Sequence, residues 1–506
     1  MKILFVASEC TPFIKTGGLA DVVGTLPEAL HADGADVRVI IPKYRDIPSY
    51  WRDQMKKLLY YQINLGWRGQ YCGIEYIEQN GVIYYFVDNE FYFGHDGVYG
   101  EGDAEGERFS YFARAVLNVL PHIGFQPDII HGHDWQAGMV LALLNMQYRY
   151  DPFYADIKTV FTIHNLRYQG LFSWEQTADL LGINDRYFTP DMLEYYGKVS
   201  FIKGGIVFAD RVTTVSPTYA KEIQSWEYGE GLDGLIRAKS NVLYGILNGI
   251  DPDEYNPATD MWLAHHFDLE HLKDKKQCKA DLQKALGLEL RENVPIIAMI
   301  TRLSEQKGLD LVEYRMDEIM QQDVQFVLLG KGAEHFEEFF SWAAWKYAGR
   351  MAARIELNEP LAHQIYAGAD LFLMPSAFEP CGLSQMISMR YGTIPIVRET
   401  GGLRDSVEPY NRFTGAGNGF SFANYNAHEM FGTIQTALNA YHVEEIWRGL
   451  QQSAMSMDFS WQRSAKAYYA LYEGLGPAAQ EKKQTKKPKE ADKTDKKEIY
   501  LKRTRK

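Results

Sequence analysis

The sequence predicts an α/β protein built from two doubly wound Rossmann-like domains that face each other across a cleft. Short apolar runs recur along the chain, and each is followed by a Gly, Pro or polar turn and then by a helical pattern. Near-continuous apolar strands that alternate with helices indicate parallel sheets covered on both faces. The runs form two series, on either side of the turn-rich segment at residues 248–252. A ligand is therefore expected in the cleft, at the carboxyl ends of the strands.

The predicted strands set the expected domain boundaries. The apolar runs of the first series cover residues 3–8, 37–42, 83–88, 128–131, 159–164 and 211–215, and those of the second cover residues 294–301, 325–330, 370–375 and 394–398. We expect an N-terminal domain at residues 1–247, a C-terminal domain at residues 248–457 and a closing helix at residues 458–478. Residues 479–506 are rich in lysine and almost free of large apolar side chains, which predicts a disordered basic tail.

Composition excludes several classes of protein. The chain of 506 residues has a formal charge of -13, and its longest apolar runs fall far short of a membrane span, which needs roughly 18 to 20 residues. The first run, at residues 3–7, is too short for a secretory signal. The four scattered cysteines contain no CxxC pair, which favours reduced thiols in a cytoplasmic enzyme. The acidic balance argues against a nucleic-acid binder.

Glycine pairs and basic residues follow several predicted strands. Lys15 precedes the pair Gly17-Gly18 at a predicted helix start, and Thr400-Gly401-Gly402 repeats the pair in the second half. Backbone N–H groups at such a start are open to an anion, and the helix dipole favours negative charge. Arg302 and Lys307 flank one loop and together suit a diphosphate. Each cluster alone also fits a tight turn or surface charges, but in combination they favour a cleft for a phosphate-bearing ligand.

Acidic and histidine residues end other strands. Glu379 lies shortly after the run at residues 370–375, where it suits either a substrate contact or a helix N-terminus. His131, His133 and Asp134 are competent metal ligands, but alternation along a strand puts Asp134 on the opposite face from the two histidines. No metal site is therefore expected there. The dipeptide His164-Asn165 fits a substrate contact as well as it fits a packed core histidine.

Taken together, these residues resemble the bacterial glycogen synthase and plant starch synthase family of the ADP-glucose type. The matching stretches follow the family's order, at residues 15–24, 131–135, 161–165, 248–251, 301–308, 379–383 and 400–403. The stretch that begins Lys-Thr-Gly-Gly-Leu is highly specific, whereas Glu-Pro-x-Gly and Asn-Gly-Ile-Asp occur in many glycosyltransferases. The resemblance implies the glycosyltransferase B fold. It also implies transfer of glucose from ADP-glucose to the non-reducing end of an α-1,4-glucan such as glycogen, with retention of configuration.

The resemblance further implies roles for individual residues. The groups that hold the pyrophosphate and stabilise the leaving nucleoside diphosphate are Lys15, Gly17, Gly18, Arg302 and Lys307. The groups that contact the transferred glucose are Asp21, Asp134, His164, Asn165 and Glu379. The backbone N–H groups for the distal phosphate belong to Thr400, Gly401 and Gly402, and the matched motifs add Asn248, Cys381, Gly382 and Leu383 to the substrate-binding set. The catalytic residues are then Lys15, His164, Arg302, Lys307 and Glu379.

The same resemblance implies no metal and no cofactor, because cations and helix starts supply the charge that a magnesium ion would provide. The expected partners are the donor and the glucan acceptor, without nucleic acid or membrane. Related members of the fold carry a second glutamate eight residues after the first, but here that position is Ile387. Double displacement needs a nucleophilic carboxylate, so we expect a same-face substitution instead.

Three alternatives stay open at the level of the sequence. The first is a glycosyltransferase with another donor base or acceptor, against which the Lys-Thr-Gly-Gly-Leu element argues. The second is a non-catalytic glucan-binding relative, which predicts losses among Lys15, Arg302, Lys307 and Glu379, although all of them are present. The third is a phosphorylase, which needs a pyridoxal-phosphate lysine site, and no motif in the sequence supports one.

Overall fold

The computed structural model describes residues 1–475, and the predicted tail and the last residues of the predicted closing helix lie outside them. The strands of the N-terminal half are β1 (Lys2–Val6), β2 (Asp36–Pro42), β3 (Lys56–Leu65), β4 (Arg68–Gln79), β5 (Val82–Asp88), β6 (Ile129–His133), β7 (Lys158–Ile163), β8 (Leu171–Phe172), β9 (Glu194–Tyr195), β10 (Lys198–Ser200), β11 (Arg211–Thr214) and β12 (Leu243–Gly245). The strands of the C-terminal half are β13 (Ile296–Ile300), β14 (Gln325–Leu329), β15 (Met351–Arg354), β16 (Leu371–Met374), β17 (Ile394–Arg398) and β18 (Phe420–Phe422).

The strands form two large sheets and one small one. The N-terminal sheet has nine strands in the order β12-β11-β7-β6-β1-β2-β5-β4-β3, and the C-terminal sheet has six in the order β15-β14-β13-β16-β17-β18. All pairs are parallel except that β4 runs antiparallel to both β3 and β5. Strands β8, β10 and β9 form a separate antiparallel sheet. Chain order reverses at β1 and at β13, as in doubly wound sheets, which confirms the predicted fold class.

Helices cover the faces of both large sheets. In the N-terminal half they are α1 (Gly18–Ala32), α2 (Ser49–Arg52), α3 (Glu90–Phe93), α4 (Asp103–His122), α5 (Asp134–Leu143), α6 (Trp174–Leu181), α7 (Phe201–Phe208), α8 (Pro217–Glu222) and α9 (Asp233–Ala238). In the C-terminal half they are α10 (Lys275–Leu286), α11 (Leu309–Gln321), α12 (Glu334–Lys346), α13 (Glu359–Gly368), α14 (Ser384–Arg390), α15 (Gly401–Ser406), α16 (Ala427–Tyr441), α17 (Glu444–Met455) and α18 (Trp461–Glu473).

The remaining helical segments are short π-helical and 3-10 turns. A π-helical turn, Leu144–Tyr148, continues α5, and 3-10 turns occur at Asp185–Tyr187, Ser240–Val242, Leu272–Asp274 and Glu305–Lys307. Across residues 1–475, no helix combines the length and the apolar character that crossing a bilayer would require.

The buried parallel strands account for the predicted apolar runs. In β1, Ile3 to Val6 are completely buried, and β14 and β17 are buried at every position. Strands covered on both faces have no polar side to alternate with, so their sequences are continuously apolar. The β3–β4 hairpin was not predicted, because β3 is an edge strand with many exposed side chains and therefore lacks such a run.

The closing helix α18 packs against the N-terminal half, which the sequence pattern alone did not indicate. The Tyr472 hydroxyl lies 2.7 Å from Nδ1 of His131 in β6, and the Ser464 hydroxyl donates to the carbonyl of Leu247. Just before the helix, the Ile250 N–H donates to the Phe459 carbonyl at 2.8 Å. The chain therefore crosses between the halves at two adjacent points, near residues 250 and 459.

Lys275 at the start of α10 gives a prediction about stability. Its ammonium group is buried and donates to the Ala367 carbonyl at 2.7 Å and to the Thr393 hydroxyl at 2.8 Å. Burial lowers the pKa of Lys275 to about 8, whereas an unfolded lysine titrates near pH ~10.4. Between these values the unfolded chain binds more protons, so this residue makes stability increase as pH rises.

We expect the melting temperature of the wild type, relative to Lys275→Met, to rise between pH 8 and pH 10. The part of the titration between these two pH values corresponds to a relative gain on the order of 2 kcal/mol in unfolding free energy. Thermal unfolding of both proteins at several pH values measures this difference, and all other titrating groups cancel in it. A melting-temperature difference between the two proteins that stays constant with pH would contradict the lowered pKa of Lys275.

Candidate active site

The predicted motifs of the two halves meet across the cleft. A Cβ atom added to Gly18 would lie 3.8 Å from Cδ1 of Leu383, so the glycine pair at the start of α1 faces the Glu-Pro-Cys-Gly-Leu loop. Nearby, the Ser216 hydroxyl donates to the Pro380 carbonyl at 2.6 Å. Loops that follow β1, β11 and β16 therefore assemble one site at the carboxyl ends of the strands.

Lys15 and Asp21 form an ion pair on the N-terminal side of the site. Nζ of Lys15 lies 2.7 Å from Oδ1 of Asp21. Burial by itself lowers the pKa of Lys15, but nearby carboxylates, Asp21 foremost among them, outweigh this effect, and the net pKa is raised. Carboxylates of the C-terminal half, at Glu254 and Glu359, contribute to this rise. Lys15 therefore carries its charge at any physiological pH.

The backbone before α1 is held by Glu9, a residue that the sequence analysis did not single out. The buried Glu9 carboxylate accepts hydrogen bonds from the N–H groups of Thr16 and Gly17. It also accepts from the hydroxyls of Thr16 at 3.0 Å and Tyr99 at 2.9 Å. The Gly17 N–H, which was predicted to face an anion, thus already binds an internal carboxylate, and this contact fixes the shape of the loop.

Three neutral histidines lie in β6 and just after β7, and two of them are hydrogen-bonded to each other. Nδ1 of His133 lies 3.0 Å from Nε2 of His164. The third histidine, His131, has its Nε2 2.6 Å from the Thr162 hydroxyl. Burial lowers the pKa of His131 and His133 well below the usual range and that of His164 to about 3. At neutral pH His164 is therefore an uncharged imidazole, whose ring can donate one hydrogen bond and accept another.

Asp134 acts on the loop that carries His164. It begins α5 with a positive φ of 54°, and its Oδ1 accepts the His164 N–H at 2.7 Å. Burial raises the pKa of Asp134 to about 7, against the lowering effect of that hydrogen bond. The left-handed backbone, which the strand alternation did not predict, turns this carboxylate towards residues 164 and 165.

Lys307 and Glu379 form an ion pair on the C-terminal side. Nζ of Lys307 lies 2.6 Å from Oε2 of Glu379, and the Ser376 hydroxyl donates to the same oxygen at 3.0 Å. The Glu379 side chain is only 8% exposed, so its charge depends on these partners. Arg302, earlier in the loop that leads to Lys307, is exposed.

Gly308 fixes the loop that carries Lys307. It has a φ of +70°, and a Cβ at this position would lie 2.1 Å from the Pro375 carbonyl oxygen. Only glycine satisfies both constraints. The basic loop is therefore packed directly against the segment that leads to Glu379.

The second glycine pair packs against the loop of Glu379. A Cβ on Gly401 would lie 1.9 Å from the Glu379 carbonyl oxygen, and one on Gly402 would lie 2.0 Å from that of Cys381. The Gly402 N–H donates to the Glu379 carbonyl at 3.1 Å, while the Gly401 N–H donates to the carboxylate of Glu222. Thr400 donates its hydroxyl to Glu222 as well, at 3.0 Å. These glycines are thus required by close backbone packing.

The remaining predicted residues are Cys381 and Gly382 of this loop and Asn248, which contacts Cys381. Cys381 is buried, and burial raises its pKa to about 12, so it is a thiol. Gly382 has a φ of +70°. Asn248 is buried, and its Oδ1 has no hydrogen-bond partner among the described residues.

A cavity of about 320 Å³ adjoins the site between the two halves. The residues that line it are Asn165, Arg167, Tyr219, Glu227, Tyr228, Glu230, Ala377, Phe378, Arg398 and Tyr425. Except for Asn165, none of them belongs to a motif quoted above. Their position follows from the packing of α8 and the loop after it against the C-terminal half, which no local pattern indicates.

Paired cations and carboxylates between two Rossmann-like domains define a glycosyltransferase of the two-domain B fold. A family model described as "Starch synthase catalytic domain" matches residues 2–238, and one described as "Glycosyl transferases group 1" matches residues 285–448. Glycogen synthase from Geobacillus thermodenitrificans is 56% identical to this chain, in an alignment that covers 94% of this chain and 98% of that protein. Glycogen synthase from Desulforamulus reducens is 53% identical over 94% of this chain and 99% of its own length. The chain belongs to the glycogen synthase family.

Solved structures agree with this assignment. The catalytic domain of starch synthase IV from Arabidopsis thaliana, bound to ADP and acarbose, superimposes with a TM-score of 0.87 at 36% identity, covering 94% of this chain and 99% of that one. Sucrose-phosphate synthase from Thermosynechococcus elongatus has a TM-score of 0.61 at 17% identity over 94% of this chain and 98% of its own, which supports the fold alone. The family and fold class predicted from the sequence are confirmed, whereas the roles of individual residues remain predictions.

Proposed function

We propose that the enzyme transfers glucose from ADP-glucose to the non-reducing end of an α-1,4-glucan, with retention of configuration. Family membership supports glucan synthesis, and the related starch synthase IV structure contains ADP and acarbose. The observation that carries the proposal is the Lys307–Glu379 pair at 2.6 Å in the cleft. It brings a cation suited to a diphosphate next to a carboxylate suited to a sugar.

The leaving nucleoside diphosphate is stabilised by positive charge from both halves. In this proposal Lys15, Arg302 and Lys307 neutralise the developing phosphate charge, and Gly17 and Gly18 allow the phosphates to approach the backbone. Preorganised cations in a cleft with little water lower the barrier because they need not reorganise during the reaction. Thr400, Gly401 and Gly402 are assigned to the distal phosphate, although in this structure their N–H groups are bound to the Arg398 carbonyl, the Glu222 carboxylate and the carbonyls of Glu379 and Pro380, respectively.

The transferred glucose lies among the other predicted residues. In this proposal Glu379 and the neutral His164 contact the sugar, with Asp21 and Asn165 beside it. Asp134 acts by holding the loop of residues 164 and 165. The residues that close the sugar pocket are Asn248, Cys381, Gly382 and Leu383.

The proposed reaction is a same-face substitution. The bond from the anomeric carbon to the diphosphate oxygen breaks first, which gives an oxocarbenium-like centre. The acceptor hydroxyl then forms the new bond on the same face, and its proton passes to the departing phosphate oxygen. Ile387 is buried in α14 at the position where a second carboxylate would stand, so this helix offers no nucleophile for a double displacement.

In this proposal the two halves of the chain face different substrates. Residues 1–247 form the acceptor side, residues 248–457 form the nucleotide-sugar side, and the closing segment, as far as residue 475, packs on the N-terminal half. We further propose a cytoplasmic location, which is consistent with four free cysteines.

A donor assay tests the function directly. The purified protein is incubated with ADP-glucose or UDP-glucose and glycogen, while nucleotide release and glucan elongation are measured together. We expect both to proceed in parallel and faster with ADP-glucose. Nucleotide release without elongation would contradict the proposal that a glucan is the acceptor. A preference for UDP-glucose would contradict the proposal that ADP-glucose is the donor.

A further inference from the structure

Two exposed glutamates and a buried histidine come together outside the set of residues assigned to the transfer reaction. A carboxylate oxygen of Glu254, one of Glu359 and a ring nitrogen of His363 all lie within 4.8 Å of one another. Among residues 1–475 this is the only group of three potential metal ligands that lie so close together. The sequence motifs did not indicate it, because Glu254 is more than 100 residues away from the other two along the chain.

The three side chains come from two segments with well-defined backbones. Glu359 begins α13 and His363 follows four residues later, so both project from one face of the helix. Glu254 lies in the turn that follows the crossing of the chain near residue 250. Its N–H donates to Oδ1 of Asp251 at 3.3 Å, which helps to hold this turn. The helix and the turn thus present their ligand atoms to the same place.

The ring of His363 is held in the orientation that a metal ligand needs. Its Nδ1 lies 2.8 Å from Oδ2 of the buried Asp260, and the same oxygen accepts the Tyr391 hydroxyl at 2.6 Å. Because a carboxylate only accepts hydrogen bonds, Nδ1 carries the proton, and Nε2 of the neutral ring holds the lone pair. The side chain is only 4% exposed, yet Nε2 has no hydrogen-bond partner among the described residues. Metal-bound histidines typically donate their other ring N–H to a carboxylate in this way.

The two glutamates also lack a cation in contact with them. Within the described part of the chain neither forms an ion pair, and the nearby Lys15 is paired with Asp21. Burial raises the pKa of Glu254, Lys15 opposes this effect, and neighbouring carboxylates, Glu359 among them, add to it. A doubly charged cation between Glu254 and Glu359 would balance both carboxylates and remove their mutual repulsion.

We propose that Glu254, Glu359 and His363 bind a divalent transition-metal ion of the zinc class, through one oxygen of each glutamate and Nε2 of the histidine. Imidazole and carboxylate ligands suit Zn²⁺, whereas Mg²⁺ and Ca²⁺ prefer oxygen ligands alone. Ligand atoms around a tetrahedral Zn²⁺ lie roughly 3.4 Å apart, so small rotations of the two exposed glutamates close the site. Water completes the coordination.

The ion would join the turn after the chain crossing to α13. It would take no part in the transfer reaction, which in the proposed function needs no metal. The inference therefore stands or falls independently of that function, and binding rather than activity is the quantity to measure.

Calorimetric titration of the full chain with ZnCl₂, after removal of metal with EDTA, tests the inference. We expect the wild type to bind one Zn²⁺ per chain. Glu359→Gln keeps the size of an exposed side chain but removes a ligand, and the affinity should fall by at least ~100-fold, because even the hydrogen-bond partners of metal-bound histidines are typically worth about 10- to 100-fold. Absence of one-to-one binding by the wild type, or unchanged affinity in Glu359→Gln, would overturn the inference.

The visible absorption of Co²⁺ reports on coordination directly. With CoCl₂ in place of ZnCl₂, we expect the wild type to show the visible bands of a four-coordinate ion, and both Glu254→Gln and Glu359→Gln to lack them. Thermal unfolding checks that these variants are folded, and Zn²⁺ should raise the melting temperature of the wild type only. Equal Co²⁺ bands in Glu254→Gln would contradict the proposed set of ligands.

His271→Gln is the matched control. It removes an exposed imidazole whose Nδ1 lies 2.9 Å from a carboxylate oxygen of Asp268, a pair to which no third ligand is added among the described residues. We expect its affinity for Zn²⁺ to equal that of the wild type. If His271→Gln loses Zn²⁺ binding and Glu359→Gln does not, the ion binds at the surface and the proposed site is wrong. Tighter binding of Mg²⁺ than of Zn²⁺ would likewise contradict a site of the zinc class.

Discussion

Lys307→Ala is expected to lower turnover by a factor on the order of 100 or more, by comparison with the loss of one preorganised donor at a developing negative charge. The variant removes a cation that lies 2.6 Å from Glu379 and, in the proposed reaction, stabilises the departing phosphate. Steady-state rates with ADP-glucose and glycogen measure the effect. A rate near that of the wild type would remove Lys307 from the mechanism.

Two further variants make this result specific. Lys307→Arg keeps the charge and should recover part of the activity, although its planar fork differs from a point charge. Lys346→Ala removes a lysine that is paired with Asp317 on an exposed surface, and it should leave the rate unchanged. Thermal unfolding of each variant shows whether the loss of a buried partner for Glu379 has also destabilised the fold.

Gly402→Ala is expected to have the second large effect. Its Cβ would lie 2.0 Å from the Cys381 carbonyl oxygen, and this neighbour is backbone that cannot rotate away. The loop that presents Glu379 must therefore shift. We expect turnover to fall at least 100-fold by analogy with other misplaced catalytic groups, and stability to fall by roughly 2 to 4 kcal/mol.

Gly432→Ala provides the control within the same half of the chain. Gly432 lies inside α16, and an added Cβ meets nothing within 4 Å. An alanine in a helix interior should stabilise the protein by about 0.5 to 1 kcal/mol, with no change in rate. Equal losses in the two variants would show that the close packing of Gly402 has no special role.

The parallel core could be predicted from sequence because its physical signal is local. A strand buried on both faces must be apolar along its whole length, and residues 394–398 were predicted with the bounds that β17 has. The β3–β4 hairpin carries no such signal, because its exposed side chains resemble those of a helix or loop. The packing of α18 was also unpredictable, since the contact of Tyr472 with His131 joins distant parts of the chain.

The candidate site, too, could be predicted from the sequence only in part. Lys307 and Glu379 were identified from motifs, but their pairing across 72 residues needed the structure. Glu9 and Glu222 were missed because nothing local distinguishes them from the other 64 acidic residues of the chain. Their importance comes from the N–H groups that they meet, which is a property of the folded backbone.

The two crossings of the chain restrict how the halves can move. Ile250 and Ser460 form a parallel bridge, and a Cβ on Gly249 would lie 2.7 Å from the Trp461 backbone nitrogen. A single crossing of the chain would let the two halves rotate freely relative to each other. Two adjacent crossings instead act as a hinge that favours rotation about one axis. Any opening or closing of the cleft between the halves is then expected to follow that axis.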